Sequence, residues 1–150
     1  MKIKFRVIGL AALALLFWGG VAMAAGPRQA TIIDIKGEAF VRQGQGDWKA
    51  AQPQMVLNQG DEMKTSSGGS AQLLLDDGKV GNVQVREKSL VKLETMQEDQ
   101  ATGDKSTLLN LAIGKVMIHA EKLHGNSKFE VRTPTSTTGV RGTMFEVSVD

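Results

Sequence analysis

The sequence contains no cysteine and no tyrosine, and only two of its 150 residues are histidines. Without cysteine there is no disulfide, no thiolate metal site and no lipid attached through a cysteine at a cleavage site. His119 and His124 lie five residues apart, which is no recognised zinc spacing, and no serine lies in a G-x-S-x-G arrangement. Asp76 and Asp77 precede Gly78, so this acidic pair predicts a turn rather than a metal or acid/base site. We therefore expect no enzymatic activity and no metal or other cofactor.

The first residues have the pattern of a secretory signal peptide. An uncharged apolar run from Val7 to Trp18 is followed by the small-residue site Ala22-Met23-Ala24. The basic residues that precede this run are Lys2, Lys4 and Arg6. We predict a signal peptide over residues 1–24, cleavage between Ala24 and Ala25, and a periplasmic or secreted protein. In the alternative, residues 7–25 remain as an inner-membrane anchor that is barely long enough to span a bilayer.

Removal of that segment changes the charge balance. The chain has 18 basic and 16 acidic residues, and the segment holds three of the basic ones and none of the acidic ones, so 15 basic residues face 16 acidic ones. A net charge of −1 does not support a basic surface for nucleic acid or anionic lipid. We expect no nucleic-acid partner and no membrane span after cleavage.

Apolar residues alternate with polar ones in many short segments between turn-forming residues, most clearly from Ser70 to Leu75. Further along, Leu109, Leu111 and Ile113 share one face, Gly114 interrupts the pattern, and Val116 and Ile118 share the next face. The polar, aperiodic stretch from Gln97 to Ser106 predicts a mobile loop. The pattern predicts one all-β domain over residues 25–150, built from short, mostly antiparallel strands in a sandwich- or solenoid-like arrangement.

A hydroxyl-rich corner lies near the end of the sequence. Pro134 fixes its own φ angle and favours an extended conformation for the preceding residue, and glycines on both sides of Arg141 make the backbone there flexible. The residues assigned to this structural corner are Thr133, Pro134, Gly139, Arg141 and Gly142. The simpler interpretation is that the arginine pairs with a carboxylate such as Asp61 or Glu62, and the alternative is a role in binding an anion or a partner.

The last stretch predicts a half-buried strand, because Phe145, Val147 and Val149 alternate with polar or flexible residues. The sequence contains a weak internal repeat. Lys64-Thr65 is followed by a turn and a strand ending in Asp, and Arg132-Thr133 is followed by a turn and a strand ending in Asp150. Only the first copy continues into a return strand. By analogy we expect an exposed edge that pairs with another envelope protein or forms a homodimer. The candidate partner-binding residues are Thr143, Phe145, Val147 and Val149.

Trp48 is the one tryptophan that lies beyond the predicted cleavage site. The simpler interpretation is a hydrophobic anchor that lies half buried against the sheet. The alternative is a platform on which a ligand stacks, which would suit a glycan- or cell-wall-binding module.

Several short segments, taken in order, resemble the FecR-like periplasmic domain family over about residues 30–150. The matching segments are Gly37–Val41, Trp48, Leu57–Thr65, Ser70–Leu75 with Asp77-Gly78, Ser89–Leu93, Leu111–Val116, Phe129–Thr135 and Gly139–Val147. The resemblance implies an all-β periplasmic module without catalytic activity. In the best-known members this module senses the signalling domain of an outer-membrane siderophore receptor and relays the state of the receptor to a sigma factor.

The sequence departs from that arrangement in two ways. It offers no cytoplasmic anti-sigma domain, and it stops at Asp150, where family members usually continue with further strands. We therefore expect an exported protein-binding module of the cell envelope. The alternatives are a glycan- or cell-wall-binding module and a remnant component of siderophore signalling.

Overall fold

The structure, a computed structural model, describes residues 26–140 and 144–150. The predicted signal peptide, its cleavage site between Ala24 and Ala25, and the alternative anchor over residues 7–25 lie outside the described residues. Within the described ranges, no helix has the length and apolar character needed to cross a membrane.

Strands make up 57% of the described chain, which contains no α-helix, as alternation predicts. The strands are β1 (Ala30–Lys36), β2 (Ala39–Arg42), β3 (Lys49–Ala50), β4 (Val56–Leu57), β5 (Glu62–Thr65), β6 (Ser70–Leu75), β7 (Gly81–Val85), β8 (Leu90–Glu98), β9 (Lys105–Ala120), β10 (Lys128–Arg132), β11 (Thr137–Val140) and β12 (Met144–Val149). A single turn of 3₁₀-helix, Asp76–Gly78, joins β6 to β7.

The strands form one curled sheet whose two halves share the long strand β9. The β6 half has the order β4-β1-β6-β7-β9-β12, and the β5 half has the order β3-β2-β5-β8-β9-β10-β11. All of these neighbours are antiparallel except β9 and β10, which are parallel. The prediction of an all-β fold of mostly antiparallel strands is confirmed.

Strand β9 passes from one half to the other through a bend at Gly114. Its inward residues have odd numbers before the bend, such as Leu109, and even numbers after it, such as Val116. A residue that breaks the alternation shifts every later side chain to the other face. Gly114 has a φ of +94°, and a Cβ there would meet Ser89 and the Lys88 carbonyl at less than 3.0 Å, so the bend requires glycine.

Ser89 fastens this bend to the turn between β7 and β8. Its side chain is buried, and its Oγ accepts a hydrogen bond from the Lys115 N–H at 2.9 Å. Leu109 and Leu111 of the predicted face are buried, but Ile113 is 50% exposed at the bend, so the buried face ends at Leu111.

The bend also explains how a short loop joins two parallel strands. Parallel neighbours usually need a crossover of a dozen or more residues, and the second half of β9 together with residues 121–127 supplies it, because only residues 106–110 of β9 pair with β10. Because β9 doubles back around the core, its end lies within reach of its beginning. The Asp104 carboxylate accepts a hydrogen bond from the Asn126 N–H at 2.9 Å, and Ser127 Oγ accepts one from the Lys105 N–H at 2.9 Å.

One apolar core lies between the two halves of the sheet. Its largest fully buried side chains are Phe129, Ile32, Leu57, Met63, Leu73, Leu75, Leu93, Leu109, Leu111, Ile118, Val41 and Val80. Alternate residues of β6 and β9 supply five of them, and β5 and β8 supply Met63 and Leu93, so the core draws on both halves of the sheet.

Four of the ten residues in the stretch predicted as a mobile loop, residues 97–106, are strand ends. Strand β8 continues to Glu98 and β9 begins at Lys105, so a tight turn of residues 99–104 remains. The Asp99 carboxylate accepts hydrogen bonds from the N–H groups of Ala101 at 2.8 Å and Thr102 at 3.0 Å. These bonds give the polar stretch a defined conformation that alternation does not reveal.

Candidate functional site

Strand β12 forms one side of the β6 half and pairs with β9 alone. Its register runs antiparallel from Met144 opposite His119 to Val149 opposite Gly114. Within residues 26–140 and 144–150, no strand pairs with its other side. This side of β12 is therefore the candidate site.

The hydrogen-bonding direction of β9 can be traced from one contact. The Lys115 carbonyl accepts a hydrogen bond from the Arg86 N–H at 2.9 Å, so the backbone of Lys115 faces β7. Because the direction alternates along an antiparallel strand, the backbones of Val116 and Ile118 face β12. The residues opposite them are Val147 and Phe145.

Every second residue of β12 therefore directs its backbone away from β9. Val147 and Phe145 direct their N–H and C=O groups toward β9, and the residues that alternate with them direct theirs toward the free side. The residues with free-facing backbone groups are Met144, Glu146 and Ser148. A row of such groups is the template onto which another strand can add.

The side chains of β12 divide as alternation predicts. Phe145, Val147 and Val149 are half buried and pack against the core. On the other face Met144 is 64% exposed, and Glu146 pairs with Lys115 at 3.3 Å. Of the candidate partner-binding residues, Thr143 lies outside the described residues, and the other three share the inward face.

A polar cleft of about 540 Å³ borders the end of β12. Its lining includes Arg86 and Lys115 but also Glu87, Glu146 and Asp150. Two basic and three acidic side chains line this space, and such a mixture of nearly balanced charge does not strongly select an anionic or a cationic small molecule.

Trp48 lies elsewhere, half buried on the outer face of the β5 half. Lys64 Nζ lies 4.3 Å from its ring centroid and Arg42 Cζ lies 4.9 Å from it. Arg42 is also bound to Glu62. The chain's own cations thus contact the indole in the manner of cation–π pairs, which favours the anchor interpretation over a ligand platform.

The predicted corner is in part a hairpin. Thr133 donates its N–H to the Ser136 carbonyl at 2.8 Å across Pro134, and this turn joins β10 to β11. Gly139 lies inside β11, opposite Glu130, and not in the corner where it was expected. Arg141 and Gly142 lie outside the described residues, so their predicted roles stay predictions.

Sequence reasoning missed Arg28, which the structure places among four partners. Its side chain is only 4% exposed and its Nε lies 2.7 Å from the Asp76 carboxylate. Its other nitrogens donate to the carbonyls of Gln97 and Ser106 at 2.9 Å and to the Thr107 hydroxyl at 2.8 Å. Asp76 is thus part of a structural ion pair that ties the segment before β1 to the β6–β7 turn.

The histidine and acidic residues form no candidate metal site in the described part of the chain. Across these residues, no group of three or more His, Asp or Glu side chains is arranged to hold a metal ion. His119 lies 3.8 Å from Glu121 at the end of β9, and His124 is exposed in the next loop.

Comparison with known proteins identifies the family. No curated protein and no solved structure matches the sequence. A family model described as FecR protein matches residues 61–150, which are 90 of the 150 residues. The matched region begins before β5 and includes β12, while β1 to β4 precede it and pair into the same sheet. The chain therefore belongs to the FecR family.

Proposed function

We propose that this protein is an exported, non-enzymatic module that binds an extended segment of another cell-envelope protein along the free side of β12. The observation that carries the proposal is the row of backbone groups at Met144, Glu146 and Ser148 that face away from β9. An added strand would satisfy those groups through main-chain hydrogen bonds.

The family supports the class of function. FecR is a regulatory, signal-transduction family rather than a family of enzymes, and its domains are typically periplasmic or envelope modules. Contact with another protein is one way in which a regulatory module acts. Export rests on the basic start, the apolar run and the small-residue site at the beginning of the sequence.

The inward side chains give the edge its selectivity. Phe145, Val147 and Val149 are half buried, so a neighbouring strand with apolar residues on the same face would cover them. The outward face carries Glu146 beside Lys115. The segment recognised is therefore one that alternates apolar residues toward the core with polar residues toward solvent.

The proposal can be tested in cells with a photo-crosslinking amino acid in place of Met144. Met144 is exposed and adjoins the free side, so irradiation should join the protein to its partner in an adduct of a defined mass. The same amino acid in place of Gln45, an exposed turn residue, serves as the position control and should give no such adduct.

Two substitutions at Ser148 separate strand addition from general contact. Ser148→Pro removes one free-facing N–H without removing a bond to β9, whereas Ser148→Ala keeps that N–H. The adduct from position 144 should fall at least about tenfold with Ser148→Pro and persist with Ser148→Ala, since one lost edge bond and the bulk of the ring oppose pairing. Absence of any adduct with a different protein, or equal yields from the two variants, would refute the proposal.

A further inference from the structure

The free side of β12 is complementary to itself. We propose that two copies of this chain pair through it as antiparallel strands, related by a two-fold axis at Val147, when no other strand occupies the edge. This inference depends on the same free side as the proposed function but names a different occupant, a second copy of the chain.

The direction of the backbone groups limits the registers. In a two-fold pair, residue i of one copy faces residue j of the other and residue j faces residue i. Hydrogen bonds form only where both facing residues direct their backbones outward, which restricts bonding pairs to Met144, Glu146, Ser148 and the next residue of that parity, Asp150. The axis must then fall on one residue of β12.

Repulsion between like charges then distinguishes these registers. An axis at Glu146 sets the two Glu146 side chains directly opposite each other, and an axis at Ser148 sets Glu146 opposite Asp150 twice. Like charges that face each other across strands are destabilising. An axis at Val147 instead sets Glu146 opposite Ser148 and Met144 opposite Asp150, and each Glu146 keeps its own Lys115 at 3.3 Å.

The apolar face favours the same axis. With the axis at Val147, the two Val147 side chains face each other and Phe145 faces Val149, so every half-buried inward residue of β12 gains an apolar neighbour. Pairs of aromatic and β-branched residues across strands are favourable. An axis at Phe145 also avoids like charges, but only Met144 to Glu146 would then pair with the partner β12, so Val147 and Val149 would not face another residue of β12.

The absence of cysteine makes the register measurable. In the proposed dimer the two Val147 residues form a pair without mutual hydrogen bonds, whose Cα atoms lie about 4.5 Å apart, within the range that a disulfide spans. Purified Val147→Cys should therefore give a disulfide-linked dimer of twice the mass under mild oxidation. Phe145→Cys alone and Val149→Cys alone should remain monomeric on a non-reducing gel.

A mixture provides the matched control. Phe145→Cys and Val149→Cys face each other only in this register, so oxidation of the two variants together should give a mixed dimer that neither gives alone. A dimer from Phe145→Cys alone would move the axis and overturn the proposal. So would failure of both Val147→Cys and the mixture to crosslink while circular dichroism shows the native strand content.

Sedimentation of the protein without cysteine tests the association itself. The mean mass should rise with concentration toward twice that of one chain, and Ser148→Pro should abolish the rise while Ser148→Ala keeps it. A single-chain mass at every concentration would overturn the proposal. If that protein still crosslinks to a different envelope protein through position 144, the proposed function stands and self-pairing fails. If it forms the dimer but gives no such adduct, self-pairing stands and the proposed function fails.

Discussion

Strands β7 and β12 flank the same segment of β9, and the two differ in almost everything except their register. Both run antiparallel to β9, β7 along residues 116–120 and β12 along residues 114–119. The inward residues of β7, Val83 and Val85, are fully buried, whereas Phe145 and Val147 of β12 remain half exposed. Strand β7 has β6 on its other side, and β12 has no second neighbour among the described residues.

The difference shows that backbone pairing alone does not bury a strand. A hairpin joins β7 to β6, and the turn of that hairpin is held by the ion pair between Arg28 and Asp76. Strand β12 makes only the ladder with β9, so its inward side chains lie at the margin of the core. The more deeply buried neighbour thus lies on one side of β9, and the proposed binding edge lies on the other.

The largest expected effect comes from removing the bend that both strands share. Gly114→Ala places a Cβ against Ser89 and the Lys88 carbonyl in a backbone conformation with φ of +94°. We expect the free energy of unfolding to fall by at least about 3 kcal/mol, since strain and overpacking add. Urea denaturation monitored by circular dichroism measures this loss.

Gly139→Ala is the matched control for that substitution. Gly139 lies in β11, and a Cβ built there meets no atom within 4 Å. The same change should alter the free energy of unfolding by less than about 1 kcal/mol. Similar losses at both glycines would mean that the bend imposes no special requirement on residue 114.

A smaller effect tests the contrast between the two strands directly. Val83→Ala removes two methyl groups from a residue that is fully buried, and Val147→Ala removes the same groups from one that is half buried. We expect a loss of about 2 kcal/mol for Val83→Ala and of about 1 kcal/mol or less for Val147→Ala. Equal losses in urea denaturation would show that β12 is as deeply packed as β7.

Alternation along the chain was sufficient to predict much of this architecture. Ala71, Leu73 and Leu75 are all buried, as the pattern of β6 predicts. The interruption at Gly114 marks the bend, because a reversal of facing needs a residue that departs from the strand conformation. The facing of Phe145 and Val147 was predicted correctly for the same reason, since period two is a local property of a strand.

The parts that could not be predicted depend on residues far apart in the sequence. Arg28 is buried only because Asp76, Gln97 and Thr107 come to it from three other places in the chain. Residues 137–140 have a turn-like composition, yet pairing with β10 makes them a strand. The parallel pairing of β9 with β10 likewise results from the return of β9 around the core, and no local pattern encodes that return.

The smallest expected effect is the pH dependence of a hydrogen bond between Asp104 and the loop after β9. A hydrogen bond from the Asn126 backbone N–H, with help from the Thr102 side chain, holds the pKa of Asp104 below its ordinary value of 3.8. A lowered pKa means that the ionised carboxylate favours the folded state above that value and that this contribution is lost as pH falls through the lowered value. An NMR titration of the Asp104 carboxyl from roughly pH 5 to 2 should show the depression. Asn126→Ala, which keeps the backbone donor, should preserve most of it, and a return to 3.8 in that variant would contradict the assignment of the backbone N–H as its main cause.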